Sequence, residues 1–365
     1  MKILVFHPAL APYRVDLFNL LAELYDAELV LLGKNLEEQK FDQESLLKKL
    51  KCRVSYLTHG FMLFGRYIRT GFISKIKAVQ PDVVWGYEYS PLTVCILFYK
   101  LLTHAKFKFY TTTDDNAEMF CSTKGLRKIL RSFVLKFADG VVVTNGETAE
   151  LMRKRGVNAA VVPIIYKASE FRAKAKDIFE KAARLRKGLI RDNESLLLYV
   201  GRLAQVKNLS WLLDEFAAIG ESDMRLVLVG AGPEEVDLRK RISANAFLST
   251  QVNLVGRFEG DELMAYFAAA DVFVLPSSFE PYGAVVSESL LWGAPCVVST
   301  HVGARGLIDH TNGAVFDSDS IGDFKDKLHA VLGECAEWMR DRPSLLRADF
   351  GAIREELMNL MEAHT

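Results

Sequence analysis

Short runs rich in β-branched and aromatic residues alternate with amphipathic stretches through the first half of the chain. They read KILVFH then RVDLFNLLAELY, AELVLLG, VVWGYE then PLTVCILFYKLL, KFKFYTTT then LRKILRSFVLKFA, and GVVVTN. Strands separated by helices predict a parallel sheet covered on both faces. The second half repeats the rhythm with LLLYVG, RLVLVG, VNLVG, VFVLPS, PCVVST and GAVFD. The expected class is α/β, with two Rossmann-like domains facing across a cleft. Between the halves, Tyr166 to Asn193 is rich in Lys, Arg and Ala, helical in pattern, and without a long strand candidate. The predicted division is an N-terminal domain over 1–165, a hinge-bearing linker over 166–193, a C-terminal domain over 194–333 and a helical tail over 334–365. In that tail Leu357, Leu360 and Met361 sit at helical spacing and could pack on either domain.

Two apolar stretches of the first half carry further expectations. Pro91 to Leu102 is the longest apolar run; it is interrupted by Lys100 and falls short of the ~20 residues that cross a bilayer, so a core helix is predicted. Phe61, Leu63, Phe64, Ile68 and Phe72, interleaved with Arg66 and Arg69, admit two readings. One is a membrane-seeking or acceptor-gripping helix, the other core packing with snorkelled arginines.

A chain of 365 residues, half of them apolar, can fill two cores. Its five cysteines, Cys52, Cys95, Cys121, Cys296 and Cys335, form no CxxC pair, which fits a reducing cytosol. MKILVF runs directly into a strand pattern rather than an export signal, and a cytoplasmic location is expected, with peripheral contact to the inner membrane face left open. The zero net charge hides an asymmetry: residues 1–170 hold 24 Lys+Arg against 17 Asp+Glu, residues 171–365 hold 22 against 29, so the halves differ as +7 and −7. The basic half either faces an anionic partner, such as a lipid surface or a phosphorylated acceptor, or is simply an unevenly charged solvated surface.

Ligands of open parallel sheets bind beyond the carboxyl ends of the strands, so the residues that follow each strand matter most. After LLLYVG comes GRLAQVKN, which puts Arg202 and Lys207 at a strand exit beside a helix start. A guanidinium that grips two oxygens and a compact ammonium suit a diphosphate; two surface cations paired with acidic neighbours would have the same spacing. After VFVLPS comes SFEPYGAVVSESLLWG. Pro281 restricts Glu280, and Gly283 lets backbone approach a ligand. If a helix begins near Gly283, the amides of Gly283, Ala284 and Val285 are donors aimed at an anion, with the helix dipole adding to them. Glu288 then lies ~7.5 Å along the axis, about the step from a diphosphate to its ribose. Glutamates that decorate a loop and an exposed helix face are the plainer alternative, but Glu288 is set among apolar residues, where a charge needs a reason.

These residues resemble the large retaining glycosyltransferase group with the GT-B fold, often called family four. The resemblance covers most of residues 196–330 and rests on several elements together: GR-x4-KN, VGAGPEE (Val229 to Glu235), VGRF (Val255 to Phe258), the Glu280 and Glu288 pair, and Gly293, Pro295, Val297 and Val298. It implies that Arg202 and Lys207 neutralise the donor diphosphate and that Glu280 contacts the transferred sugar. It further implies that the 283–285 amides hold sugar and phosphate, Glu288 the ribose, and the backbone near Arg257 and Phe258 the base. The substrate would be a UDP- or GDP-sugar, with no other cofactor, no metal and no nucleic-acid partner.

In the first half, HPALAPYRVDLFNLL from His7 is similar to the first strand-loop-helix of members whose acceptors are lipid-linked or polysaccharide precursors. It lacks the Gly pair of the better-known pattern, a place that Tyr13 or Arg14 would take. TTTDDNAEMF falls where relatives often set a His-Asp pair, and Asp114 is assigned an acceptor-side role. Paired carboxylates such as Asp114 and Asp115 also suit a divalent cation, yet Arg202, Lys207 and the helix terminus already bring the positive charge a metal would. The expected reaction is sugar transfer with retention, the leaving phosphate taking the acceptor proton. A nucleotide-sugar epimerase and a catalytically silent nucleotide-binding subunit are the alternatives.

Overall fold

The computed structural model describes residues 1–33, 41–63, 66–191, 193–320, 322–334 and 342–362. The apolar runs become strands whose central side chains are buried on both faces, as parallel sheets demand. The first half supplies β1 (Lys2–His7), β2 (Asp26–Leu31), β3 (Arg53–Tyr56), β4 (Gly60–Leu63), β5 (Arg66–Arg69), β6 (Val83–Tyr87), β7 (Lys108–Thr113), β8 (Gly140–Val143) and β9 (Ala159–Val161). The second half supplies β10 (Ser195–Val200), β11 (Met224–Val229), β12 (Val252–Gly256), β13 (Val272–Leu275), β14 (Cys296–Ser299) and β15 (Gly313–Phe316). One parallel sheet has the order β3-β2-β1-β6-β7-β8-β9, the other β12-β11-β10-β13-β14-β15, and β4 and β5 form a separate hairpin. Each sheet reverses its direction of growth beside its first strand, between β1 and β6 and between β10 and β13, where loops diverge and leave room for a ligand.

A recurrent aspartate sets register at the opposite, amino ends of the strands. Asp82, Asp139 and Asp271 each stand just before a strand, and their carboxylates accept from the amides of Lys2 at 2.7 Å, Phe109 at 2.6 Å and Leu196 at 2.7 Å. Two are neutralised further, Asp139 by Lys100 at 2.6 Å and Asp271 by Arg186 at 2.8 Å. Charge-assisted bonds of this kind are stronger than neutral ones.

The chain divides into two units, Met1–Ile164 with Phe350–Thr365, and Ile165–Asp349. The segment expected as a linker lies within the second unit, where helix Ala175–Leu189 buries Ile178, Phe179, Ala182 and Ala183. Its Arg186 reaches the Ala269 carbonyl at 2.8 Å. The tail returns to the first unit. Helix Phe350–Glu362 buries Ile353, Leu357, Leu360 and Met361, the Leu360 carbonyl accepts from the Tyr110 hydroxyl at 3.3 Å, and Glu356 accepts from the Val161 amide and Arg153, both at 3.1 Å.

Two local expectations are corrected. Phe61 to Phe72 is not one helix: β4 and β5 pair antiparallel with Phe61 opposite Ile68, and the helix starts at Phe72. The apolar spacing there keeps to neither a period of two nor one of 3.6, and Gly71, at φ 88°, holds a left-handed conformation that does not continue a helix; Phe64 lies outside the described residues. Helix Pro91–Thr103 does form, but only Leu92, Thr93, Ile96 and Leu97 are buried, while Phe98, Leu101 and Leu102 are exposed. One side of that helix covers the sheet, and the apolar run continues onto the other side.

Candidate functional site

At the switch point of the second sheet, the loop after β10 carries Arg202, exposed, and Lys207, which ends a short turn. Asn208 follows at φ 56°, a left-handed conformation asparagine tolerates, and opens helix Leu209–Ile219. The loop after β13 is tied alongside, since the Ser278 amide donates to the Val206 carbonyl at 2.9 Å. The two loops bring Lys207 Nζ onto Glu280 Oε2 in an ion pair whose side chains are only 17% and 13% exposed. Two charges so far out of water depend on each other, so an arriving anion competes with Glu280 for Lys207.

Glu280 is fixed through its backbone by the loop after β14. Its amide donates to the His301 carbonyl at 3.3 Å, its carbonyl accepts from Gly303 at 3.0 Å, and Tyr282 accepts from Ala304 at 2.7 Å. Gly303 is required for this approach: a Cβ there would fall 2.0 Å from the Pro281 carbonyl oxygen. Gly283 holds φ 94° at the start of helix Ala284–Leu291, a conformation other residues adopt only with strain. The amides of Ala284 and Val285 fall in the first turn, before any acceptor of their own helix.

Along that helix Glu288 accepts from the Tyr166 hydroxyl. Burial raises the Glu288 carboxyl above the usual range, and the tyrosine bond opposes the rise. Tyr166 is itself held by Phe171, ring centroids 4.5 Å apart. After β12, Arg257 is exposed and pairs with Glu259, and Phe258 packs on Tyr266 at 5.0 Å.

At the switch point of the first sheet, His7 ends β1 and its Nδ1 faces the Ala9 carbonyl at 2.8 Å. Burial, with repulsion from Arg14 added, pushes the imidazole down to about 3, so it is neutral at physiological pH. Arg14 is 3% exposed and pairs with Asp114. Burial works against the guanidinium charge, but the carboxylate outweighs it and holds the proton more firmly than usual. The Tyr87 hydroxyl lies 3.5 Å from the other Asp114 oxygen, and the Tyr13 ring lies 5.8 Å from the Arg14 guanidinium. Asp115, next along the chain, binds a different cation, Arg127, at 2.9 Å. The two carboxylates therefore serve separate arginines. Among the described residues no group of three His, Cys, Asp or Glu is placed to hold a metal ion.

Three features escape a reading of the sequence. Tyr166 stands at the opening of the segment read as a linker, with no signal that it meets Glu288, 122 positions on. The loop His301–Gly303 holds Glu280, and its one sequence cue is a glycine after a strand. Glu88, the last letter of VVWGYE, leaves β6 at φ 47°, and its carboxyl is pushed up to about 7 by burial first and by Asp114 and Asp115 next. A non-glycine residue held in that conformation at a strand exit stores strain of the kind found at functional sites.

Comparison with known proteins bears on this arrangement. Residues 180–340 match the family described as Glycosyl transferases group 1. An uncharacterised glycosyltransferase of Methanocaldococcus jannaschii is 33% identical over 122 residues, 33% of this chain and 31% of its own length. The alpha-D-kanosaminyltransferase of Streptomyces kanamyceticus is 28% identical over 208 residues, 56% of this chain and 53% of its own. The matched region thus spans from about a third to about half of the length of these curated relatives. Among solved structures, the Anabaena protein HepE in complex with UDP has a TM-score of 0.73 at 17% identity, with 100% of both chains covered. At that identity the likeness is one of fold, and the α/β class with two Rossmann-like sheets expected from the sequence is the class found.

Proposed function

We propose that this chain, whose residues 180–340 match the group 1 glycosyl transferases, transfers a sugar from a nucleoside diphosphate donor to a glycan or lipid-linked acceptor with retention of anomeric configuration. The observation that carries the reading is the Lys207–Glu280 pair at the second switch point, beside the start of helix Ala284–Leu291. A donor diphosphate there takes Lys207 from Glu280, is met by Arg202 and by the Gly283, Ala284 and Val285 amides, and frees the Glu280 carboxylate for the sugar hydroxyls. Glu288, oriented by Tyr166, accepts from the ribose, and the backbone at Arg257 and Phe258 borders the base. On the acceptor side His7, Tyr13, Arg14 and Asp114 are the proposed contacts. His7 as a neutral imidazole can then donate or accept a hydrogen bond but brings no charge.

As the bond from the anomeric carbon to the phosphate oxygen breaks, negative charge grows on the diphosphate, where Lys207, Arg202 and the helix terminus are already oriented. The acceptor oxygen bonds to the same face of that carbon and its proton passes to the departing phosphate oxygen, with Glu280 holding the sugar rather than attacking it. Binding of a panel of UDP- and GDP-sugars, followed by transfer assays on Lys207→Ala and Glu280→Ala, tests the reading. Each substitution is expected to lower turnover about 10²- to 10³-fold. Near-normal turnover in both removes the site assignment, and conversion of donor to an epimer without acceptor replaces transfer by isomerisation.

A further inference from the structure

Helices Pro91–Thr103 and Gly125–Phe137 connect β6 to β7 and β7 to β8, successive crossovers in one direction, and so lie side by side on one face of the first sheet. Phe98 of the first stacks on Phe133 of the second, ring centroids 4.8 Å apart. Outside this seam both helices expose large apolar side chains. Phe98 is 49% exposed, Leu101 38%, Leu102 79%, Leu126 69% and Ile129 65%, so these two helices hold five of the twelve large hydrophobic side chains that stand exposed among the described residues. Phe98, Leu101 and Leu102 fall within about one turn of the first helix and Leu126 and Ile129 within one turn of the second, and apolar side chains grouped in this way mark a contact surface, whereas scattered single residues do not.

The charge around the patch decides what covers it. Neither helix carries an Asp or Glu, and Lys124, Lys128 and Lys136 stand exposed along the second, with Lys106 just past the first. The two arginines of the second helix are engaged elsewhere: Arg127 on Asp115, and Arg131 with its guanidinium 4.3 Å from the centre of the Phe120 ring. A second copy using the same face would set lysine against lysine. Aliphatic side chains framed by lysines match the boundary between acyl chains and anionic headgroups.

We propose that this face docks on an anionic lipid bilayer, with Leu126 and Ile129 inserted and the lysines on the headgroups. The same helix holds Asp115 through Arg127, and Asp115 is the chain neighbour of Asp114, so the membrane edge lies next to a residue assigned to the acceptor. The inference extends the proposed function by giving its acceptor a lipid surface, but it is read without turnover.

The test is sedimentation of the whole chain with vesicles of equal parts phosphatidylglycerol and phosphatidylcholine, against phosphatidylcholine alone. The wild type is expected to partition onto the anionic vesicles at least about tenfold more strongly, at about fivefold per lysine, and to lose the excess in high salt. Leu126→Glu with Ile129→Glu should lower that partition about tenfold or more, and Lys124→Ala with Lys128→Ala about 25-fold, while Val236→Ser, an exposed apolar position in the other unit, should match the wild type. Wild type left in the supernatant, or a Leu126/Ile129 variant that sediments like it, overturns the inference. So does a dimer seen by ultracentrifugation without lipid and dissolved by the same two substitutions, which would give the face to a second copy. Nucleotide-sugar binding separates the two readings: vesicle binding without donor binding sinks the transferase assignment and leaves the surface standing.

Discussion

The two sheets share a winding and differ in what their switch points hold. In the second unit the charged groups form pairs that a ligand can open: Lys207 with Glu280, and Glu288 with a neutral tyrosine. In the first unit the groups are buried and mutually engaged: a neutral His7, an Arg14 bound to Asp114, and an Asp115 bound to Arg127. Under the proposed function, one switch point exchanges an internal anion for an external one. The other sets two arginine–carboxylate pairs beside a neutral imidazole. The difference shows that winding decides where a site sits, while the partner each charge is given decides what a ligand would have to displace there.

The sharpest break of the comparison is removal of residues 350–365. Four buried apolar side chains leave the first unit and none leaves the second, so the first is expected to lose about 6–12 kcal/mol and unfold on its own. Two separate transitions by calorimetry would agree, and a single unshifted one would not. Arg14→Ala comes next. It leaves Asp114 without its buried cation and should cost about 3–5 kcal/mol in denaturant unfolding, and a loss under about 1 kcal/mol would mean that the pair is not structural.

Glu88 and His7 predict opposed pH slopes within one unit. Glu88 keeps its proton in the folded chain from its ordinary value of 4.5 up to about 7, so the unfolded chain binds fewer protons across that window and stability falls as pH rises through it. His7 is depressed from 6.5 to about 3, so its contribution is lost as pH falls through that range. Glu88→Gln should therefore add about 1–3 kcal/mol at pH 8 and little at pH 4.5; equal effects at both would exclude the raised carboxyl. The smallest change is Tyr166→Phe, which removes one hydrogen bond to Glu288. It should weaken nucleotide-sugar binding about fivefold, about 1 kcal/mol, and raise the pH at which binding sets in. Tighter binding would make the hydroxyl a competitor of the ribose instead.

The parallel strands, helix starts and the charged residues at strand exits were legible in the sequence because each rests on local chemistry. Alternating apolar runs mark parallel strands, Gly283 marks a helix start, Arg202, Lys207 and Glu280 stand out as charges that follow strands, and Glu288 as a charge in an apolar setting. Where local pattern was ambiguous it misled: Phe61 to Phe72 turned out a hairpin before a helix, and the Pro91 helix kept one apolar face exposed.

By itself, then, the sequence determined two doubly wound sheets and the loops where chemistry gathers. Only the tertiary structure decided which charges are paired, that Tyr166 meets Glu288, that His301 to Gly303 hold Glu280, and that the last helix closes the first unit. The reason is physical. Secondary structure follows from neighbours within a few residues, whereas ion pairing, burial and the pKa shifts they cause depend on groups such as Lys207 and Glu280, 73 positions apart, or Tyr166 and Glu288, 122 apart, which come together only when the chain has folded.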